Sequence, residues 1–323
     1  MRRVLSLAIL AALSGSLLAT AGASAASKGA EFGDTCSGVR AGAPFGAIFE
    51  RSRTGAQLPL AAPTSGVLTK WIAYMPALFP EGVPPLTVRV VRAIGSGEVE
   101  VTAKAALESL RPGKNEFETR LPIEAGEYLA FGSHEGGTIA CGPPSAEEEE
   151  LRVQVNGGGI AGGVGQSIPQ VGEKAAVEAS AYRVPVSGVI EPDVDGDGYG
   201  DLTQDGCPQG AEYHGACPTL HFAPAYTVGA GSVQVQVKSS AGARVAVTGK
   251  LPGLGTSLGT RKTIPAGRYT TFSLAIPPAL GAQLRHLDSR KSLRVPLVAR
   301  VNHVTGNVST DRLTVRIPGR HRH

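Results

Sequence analysis

Five aspartates fall within the thirteen residues from Asp193 to Asp205, a density at which carboxylates repel strongly unless a cation sits among them. Asp193, Asp195 and Asp197, followed by Gly198, fill the first, third, fifth and sixth places of a calcium loop. In such a loop alternate carboxylates turn toward one hard cation, and glycine allows the sharp bend. Tyr199 then offers a main-chain carbonyl, and Asp201 stands at the ninth place. The twelfth place, where a helix-loop-helix site has a bidentate Glu, holds Gln204, with Asp205 one step later. That departure, and the lack of an amphipathic helix on either side, argues against a paired sensor hand. The competing reading is an acidic, solvated linker, against which stands the every-second-residue spacing that ends in glycine.

The run Asp-x-Asp-x-Asp-Gly-x-Gly-Asp, closed by Asp205-Gly206-Cys207-Pro208, resembles a thrombospondin type 3 repeat over residues 191–217. The resemblance implies a chain wrapped around Ca2+ with little regular structure and held by disulfides. It assigns ligand roles to Asp193, Asp195, Asp197, Asp201 and Asp205, although the step from Asp201 to Asp205 is one residue longer than the commonest form.

The elements that must hold this loop differ in charge. From Ala26 to Pro218 there are 14 basic and 25 acidic residues, whereas from Thr219 to His323 there are 15 basic residues and only Asp288 and Asp311 as acids. Two differently built modules therefore meet near residue 218. Before them, Arg2 and Arg3, an apolar stretch from Val4 to Leu18 and the small residues Ala23-Ser24-Ala25 make a secretory signal cleaved before Ala26. The apolar stretch is about 15 residues, short of the roughly 20 needed to span a bilayer. The expectation is a secreted, extracellular chain with no transmembrane anchor, and the cell surface is a natural site for it. An exported chain usually oxidises its thiols. Cys36, Cys141, Cys207 and Cys217 allow three pairings, of which proximity favours Cys207 with Cys217 and leaves Cys36 with Cys141. No His stands at finger spacing from a Cys pair.

Both modules read as all-β. Residues 65–75, 86–94, 115–120, 126–132, 151–155 and 174–186 carry β-branched and aromatic content between turns, with brief helices expected only at 104–110 and 145–152. After Thr219 the alternation is cleaner, as in Val233-Val235-Val237 and Leu293-Val295-Leu297-Ala299-Val301, with a short helix over 277–287. The expected order is a signal peptide (1–25), an N-terminal β-sandwich or jelly roll (26–190), the calcium-binding connector (191–218), a basic immunoglobulin-like β-sandwich (219–318) and a basic tail (319–323). That layout, with the phrase Phe117-Glu-Thr-Arg-Leu-Pro-Ile-Glu-Ala-Gly126, is similar to secreted β-domain proteins of high-GC actinobacteria and implies architecture alone.

Other residues argue against chemistry. Trp71 lies inside an apolar strand and reads as core before it reads as a sugar platform. Glu147 to Glu150 read as a solvated loop, and the glycines of 157–165 do not open a helix as a phosphate loop would. Gly255-Thr-Ser257-Leu-Gly259 matches a nucleophile elbow in letters but lies in a turn before another strand, with His286 and His303 as ordinary residues. His134, His214, His221, His321 and His323 show no metal spacing. No enzyme is expected. The sequence points to a secreted calcium-binding modular protein with a structural, adhesive or binding role at the cell surface; a lectin-like jelly roll is the alternative and a secreted hydrolase the third reading. The basic module, with Arg294 and Arg300 on polar strand faces, offers a surface for an anionic wall polymer or glycan, against the competing reading that its charges serve solubility or pair with the acidic half, while the absence of a recognition helix argues against nucleic acid. Oligomeric state leaves no mark in the sequence.

Overall fold

Short alternating stretches separated by Gly and Pro become β-strands almost throughout. The computed structural model describes residues 29–34, 39–43, 47–50, 58–75, 85–95, 98–133, 138–141, 152–156, 170–179, 185–229, 231–251, 257–286, 291–303 and 306–319. Among the described residues the first half holds twelve strands: β1 (Ala30–Gly33), β2 (Val39–Ala43), β3 (Ala47–Glu50), β4 (Gly66–Met75), β5 (Leu86–Ile94), β6 (Glu98–Lys104), β7 (Gly113–Ile123), β8 (Tyr128–Ser133), β9 (Thr138–Cys141), β10 (Arg152–Asn156), β11 (Lys174–Ala179) and β12 (Val186–Glu191). Strands β1-β12-β4-β7 form one sheet, β10-β11-β6-β5-β8-β3 close into a barrel, and β2 pairs with β9. The fold is all-β, as expected, but six strands close on themselves instead of leaving two open sheets. Closure pairs strand edges that would otherwise stay open.

Between the sheet and the barrel lies a core in which Trp71 packs against Phe117 at 4.4 Å and Phe131 at 5.9 Å, together with Phe32, Leu68 and Val88. Trp71 is therefore buried, with no face for a sugar. A second cluster, including Val91, Val99, Val101, Ala130 and Ala175, gathers strands of the barrel. Arg89 of β5 is fully buried. Residues 104–110 do not form the expected helix: Lys104 ends β6, and Glu108 bridges to Leu86. Residues 145–151, 157–165 and Cys36 lie outside the described residues, so the Cys36–Cys141 pairing does too; the backbone of Cys141 stands opposite Val39.

The second half holds β13 (Leu220–Val228), β14 (Ser232–Ser239), β15 (Ala243–Lys250), β16 (Ser257–Ile264), β17 (Tyr269–Ala275), α1 (Pro278–His286), β18 (Ser292–His303) and β19 (Gly306–Pro318). Strands β13-β14-β17 face β16-β15-β18-β19 across a core that includes Val235, Val247, Phe272, Leu297 and Val315. Each such valine or leucine, fully removed from water, contributes roughly 1.5–3 kcal/mol. Helix α1 closes one end through Leu280 and Leu284. Ser257 and Gly259 lie in strand β16, not in a strand-to-helix elbow. Among the described residues, no helix is long and apolar enough to cross a membrane.

Candidate metal centre

One irregularity in the first sheet prepares the connector. Register breaks where β4 meets both neighbours, so that Thr69 has no direct partner in β12, and residues 119 and 120 of β7 stand in the matching gap. Bulges re-aim side chains out of the regular alternation. Here Thr69 turns its hydroxyl to Glu191, the last residue of β12, donating to Oε1 at 3.1 Å. Glu191 is only 2% exposed and also receives the Leu202 and Thr203 amides on Oε2 (3.0 and 2.9 Å) and the Thr203 hydroxyl on Oε1 (2.7 Å). One buried carboxylate thus pins the far side of the loop to the sheet from which the loop starts.

Gln204 adds a second pin, its Nε2 donating to the Thr119 carbonyl at 2.8 Å while its Oε1 accepts the Gly200 amide at 3.4 Å. This explains why no Glu stands at the twelfth place: the side chain there holds the loop to β7. Gly200 has no room for a side chain, since a Cβ would come within 2.6 Å of Glu191 Oε2.

Within the loop the first aspartate organises the turn. Asp193 Oδ1 accepts the Gly196 and Asp197 amides at 2.8 and 3.0 Å, and Oδ2 accepts that of Gly198 at 3.0 Å. Gly198 takes φ = +83°, the left-handed region a side chain would strain. Asp197 Oδ1 accepts the Tyr199 amide at 2.8 Å, and Asp201 Oδ2 accepts the Val194 amide at 3.2 Å. Carboxylate oxygens of Asp193, Asp195 and Asp197 lie within 4.8 Å of one another, a group that can hold a metal ion. Asp201 and Asp205 lie outside this group, though Asp205 raises the pKa of Asp195 and of Asp201 by like charge. Asp205 is 6% exposed; its Oδ1 accepts the Cys207 amide at 2.8 Å, and its Oδ2 has no hydrogen-bond partner. Asp195 Oδ2 is likewise buried and unpartnered. Buried carboxylate oxygens without donors are costly, and an all-oxygen set suits a hard cation.

Electrostatics agree with the geometry. Burial, then the neighbouring Asp197, pushes the Asp195 carboxyl up. Burial pushes Asp201 up to about 6, against the Val194 hydrogen bond and with the charges of Asp193, Asp195 and Asp205. The metal-free folded chain therefore holds protons more readily than the unfolded one, whose aspartates titrate near 3.9. Its stability should fall as pH rises from about 4 through about 6. Melting temperatures of the metal-free protein at pH 4.5 and pH 7 check this. The Asp201→Asn variant should show a flatter profile, and an equal slope in both proteins would refute the assignment.

The loop closes on the disulfide Cys207–Cys217, the pairing that proximity favours. It returns the chain so that His214 stacks on Tyr199 at 4.0 Å, with His214 Nε2 3.3 Å from Asp197 Oδ2. The Arg120 guanidinium covers Tyr199 at 4.0 Å. Beyond the loop, the Tyr213 hydroxyl donates to the Gly242 carbonyl, in the turn between β14 and β15, at 3.0 Å. Sequence spacing brought forward the aspartates but not Glu191, Arg120 or His214. The one signal for Glu191 was an acid at the end of an apolar strand, two residues before the first ligand position.

No family model matches the chain, and no curated protein matches it. Among solved structures it is similar to b-glucuronidase from Ruminococcus gnavus in complex with D-glucuronic acid, with a TM-score of 0.23 and 10% identity, covering 88% of this chain and 47% of that one. The same enzyme in complex with D-glucaro 1,5-lactone gives a TM-score of 0.22 and 10% identity over 90% and 47%. The chain spans less than half the length of these structures. Overlap at that level says nothing of this chain's chemistry.

Proposed function

We propose that this is a secreted calcium-binding modular protein, acting by binding or structure at the cell surface and not by catalysis, in which Ca2+ fixes the connector between two β modules. The observation that carries the reading is the convergence of Asp193, Asp195 and Asp197 beside the unpartnered buried oxygens of Asp195 and Asp205. Asp193, Asp195, Asp197, Asp201 and Asp205, with the Tyr199 carbonyl, are the residues that would hold the ion. Bound there, it supplies charge neutralisation. The chain's own part is to present the carboxylates through the Asp193 turn and to brace the loop through Glu191 and Gln204. The Cys207–Cys217 disulfide fits an oxidising compartment outside the cell. The lectin alternative loses its aromatic platform with Trp71 buried.

Calorimetric titration of the metal-free protein with Ca2+ tests the reading. Extracellular modules bind at about 10⁻⁴ to 10⁻³ M, so about 2 mM Ca2+ should add roughly 0.6–1.8 kcal/mol and raise Tm by a few degrees. Asp195→Ala should remove that gain. Identical Tm and identical small-angle scattering with and without Ca2+ would sink the proposal.

A further inference from the structure

The basic residues of the second module are sorted by face. In β16-β15-β18-β19 one side packs into the core through Val245, Val247, Val295, Leu297, Ala299 and Val315. Residues of the other parity project to solvent, since neighbours along a strand alternate sides and cross-strand partners share one. On that outer side Arg261 aligns through Ala246 with Arg300, two strands or about 10 Å away. Arg294 stands directly opposite Arg316. Arg312, opposite Val298, lies one diagonal step from Arg300. Arg244 and Lys250 occupy the same side of β15. All seven are exposed.

Nothing on this face balances them. No residue in its described part is acidic, and Asp311, on the inner parity of β19, is committed to the Phe222 amide at 2.7 Å. Among the described residues none of the seven forms an ion pair with an acid of the first module. Like charges directly opposite, as at Arg294 and Arg316, cost a sheet stability. Chains that keep such a local conflict usually do so for a site. Six of the seven are Arg, whose planar fork grips oxyanions in pairs of hydrogen bonds, where Lys would serve as well for solubility.

We propose that the outer face of β16-β15-β18-β19 is a binding surface for a linear anionic polysaccharide, whose repeating oxyanions lie across the arginine rows. Among the described residues this open sheet face has no large exposed apolar side chain: the exposed ones, Leu107, Val171, Val194, Leu202 and Tyr269, all lie elsewhere. Insertion into a lipid surface therefore has no anchor there, and base stacking has no aromatic ring. The oxidising compartment implied by the Cys207–Cys217 disulfide offers envelope and matrix polymers as its standing polyanions. The site is separate from the aspartate loop and does not depend on Ca2+.

The test uses the full mature chain without Ca2+, titrated with alginate as a carboxylate polymer, chondroitin sulfate as a sulfate polymer, neutral dextran and single-stranded DNA at several salt concentrations. Binding to one or both acidic polysaccharides, weakening steeply with salt, and none to dextran is expected, the preferred polymer showing which oxyanion is read. The pair Arg300→Gln with Arg312→Gln should weaken binding at least tenfold and flatten the salt slope by about two, one for each guanidinium removed. Lys238→Gln in β14 with Arg268→Gln in the turn before β17 removes the same charge away from this face and should change affinity less than twofold. Equal losses from both pairs would reduce the effect to net charge and overturn the proposal. So would tighter binding of DNA than of either polysaccharide, or no binding at low salt.

Discussion

Glu191→Ala is expected to lower the first unfolding transition by about 2–4 kcal/mol, more than removing any single aspartate of the loop. The substitution removes one acceptor from four donors: the Leu202 and Thr203 amides and the Thr203 hydroxyl, and the Thr69 hydroxyl, which also reaches the Val189 carbonyl. Each orphaned donor costs about 1–3 kcal/mol when it stays buried, and those of Leu202 and Thr203 can rehydrate because these residues lie at the surface. Thr69, 5% exposed, falls back on its longer contact to the Val189 carbonyl at 3.4 Å. Glu191→Gln keeps the shape and one acceptor and should fall between the two. Urea denaturation followed by circular dichroism measures the change, and small-angle scattering should show the modules splaying apart. A loss below about 1 kcal/mol for Glu191→Ala would mean that the loop is held by other means.

Arg89→Met is expected to act in the opposite direction and raise stability by about 1–4 kcal/mol. Arg89 is 0% exposed, and among the described residues none of its three guanidinium nitrogens has a hydrogen-bond partner. Burial lowers its pKa to about 10, which leaves it charged at neutral pH. A buried charge without a partner is costly, and an unbranched apolar side chain of similar length fills the same space without that cost. Because the folded pKa is depressed, the penalty is present at neutral pH and is relieved as pH rises toward and past 10. The advantage of the variant should therefore shrink in alkaline buffer. A variant less stable than the parent at pH 7 would show that the guanidinium does have a partner.

What was legible in the sequence was local. Asp193, Asp195 and Asp197 converge because their spacing is itself the geometry of a turn, and the strands after Thr219 follow a period of two that survives burial on one side. Helix α1 was readable from Pro277 and the apolar spacing of Leu280 and Leu284. Closure of the barrel was not, because it rests on β3 pairing with β10, strands about a hundred residues apart. The role of Glu191 was hidden for the same reason: its partner Thr69 is 122 residues away and is aimed by a bulge that no short pattern announces. His214 had no metal spacing because it approaches Asp197 through the return of the chain at Cys217, not through a helix. Residues 104–110 misled because alanines and a leucine suit a helix, while Leu86, at the start of β5 beyond the end of β6, offered Glu108 two hydrogen bonds at once.

The single tryptophan of the chain has an optical consequence. Trp71 lies in the first half of the chain, packed at a tilt against Phe117 of β7, and the half after residue 218 contains no indole at all. Emission excited at the red edge of the absorption band therefore comes from one module only, blue-shifted while its ring is out of water. Two residues along the same strand from Phe117, Thr119 holds Gln204 of the connector. The molecule thus carries its own fluorophore at the junction where the loop is pinned, reporting on one half of the chain while the other stays dark.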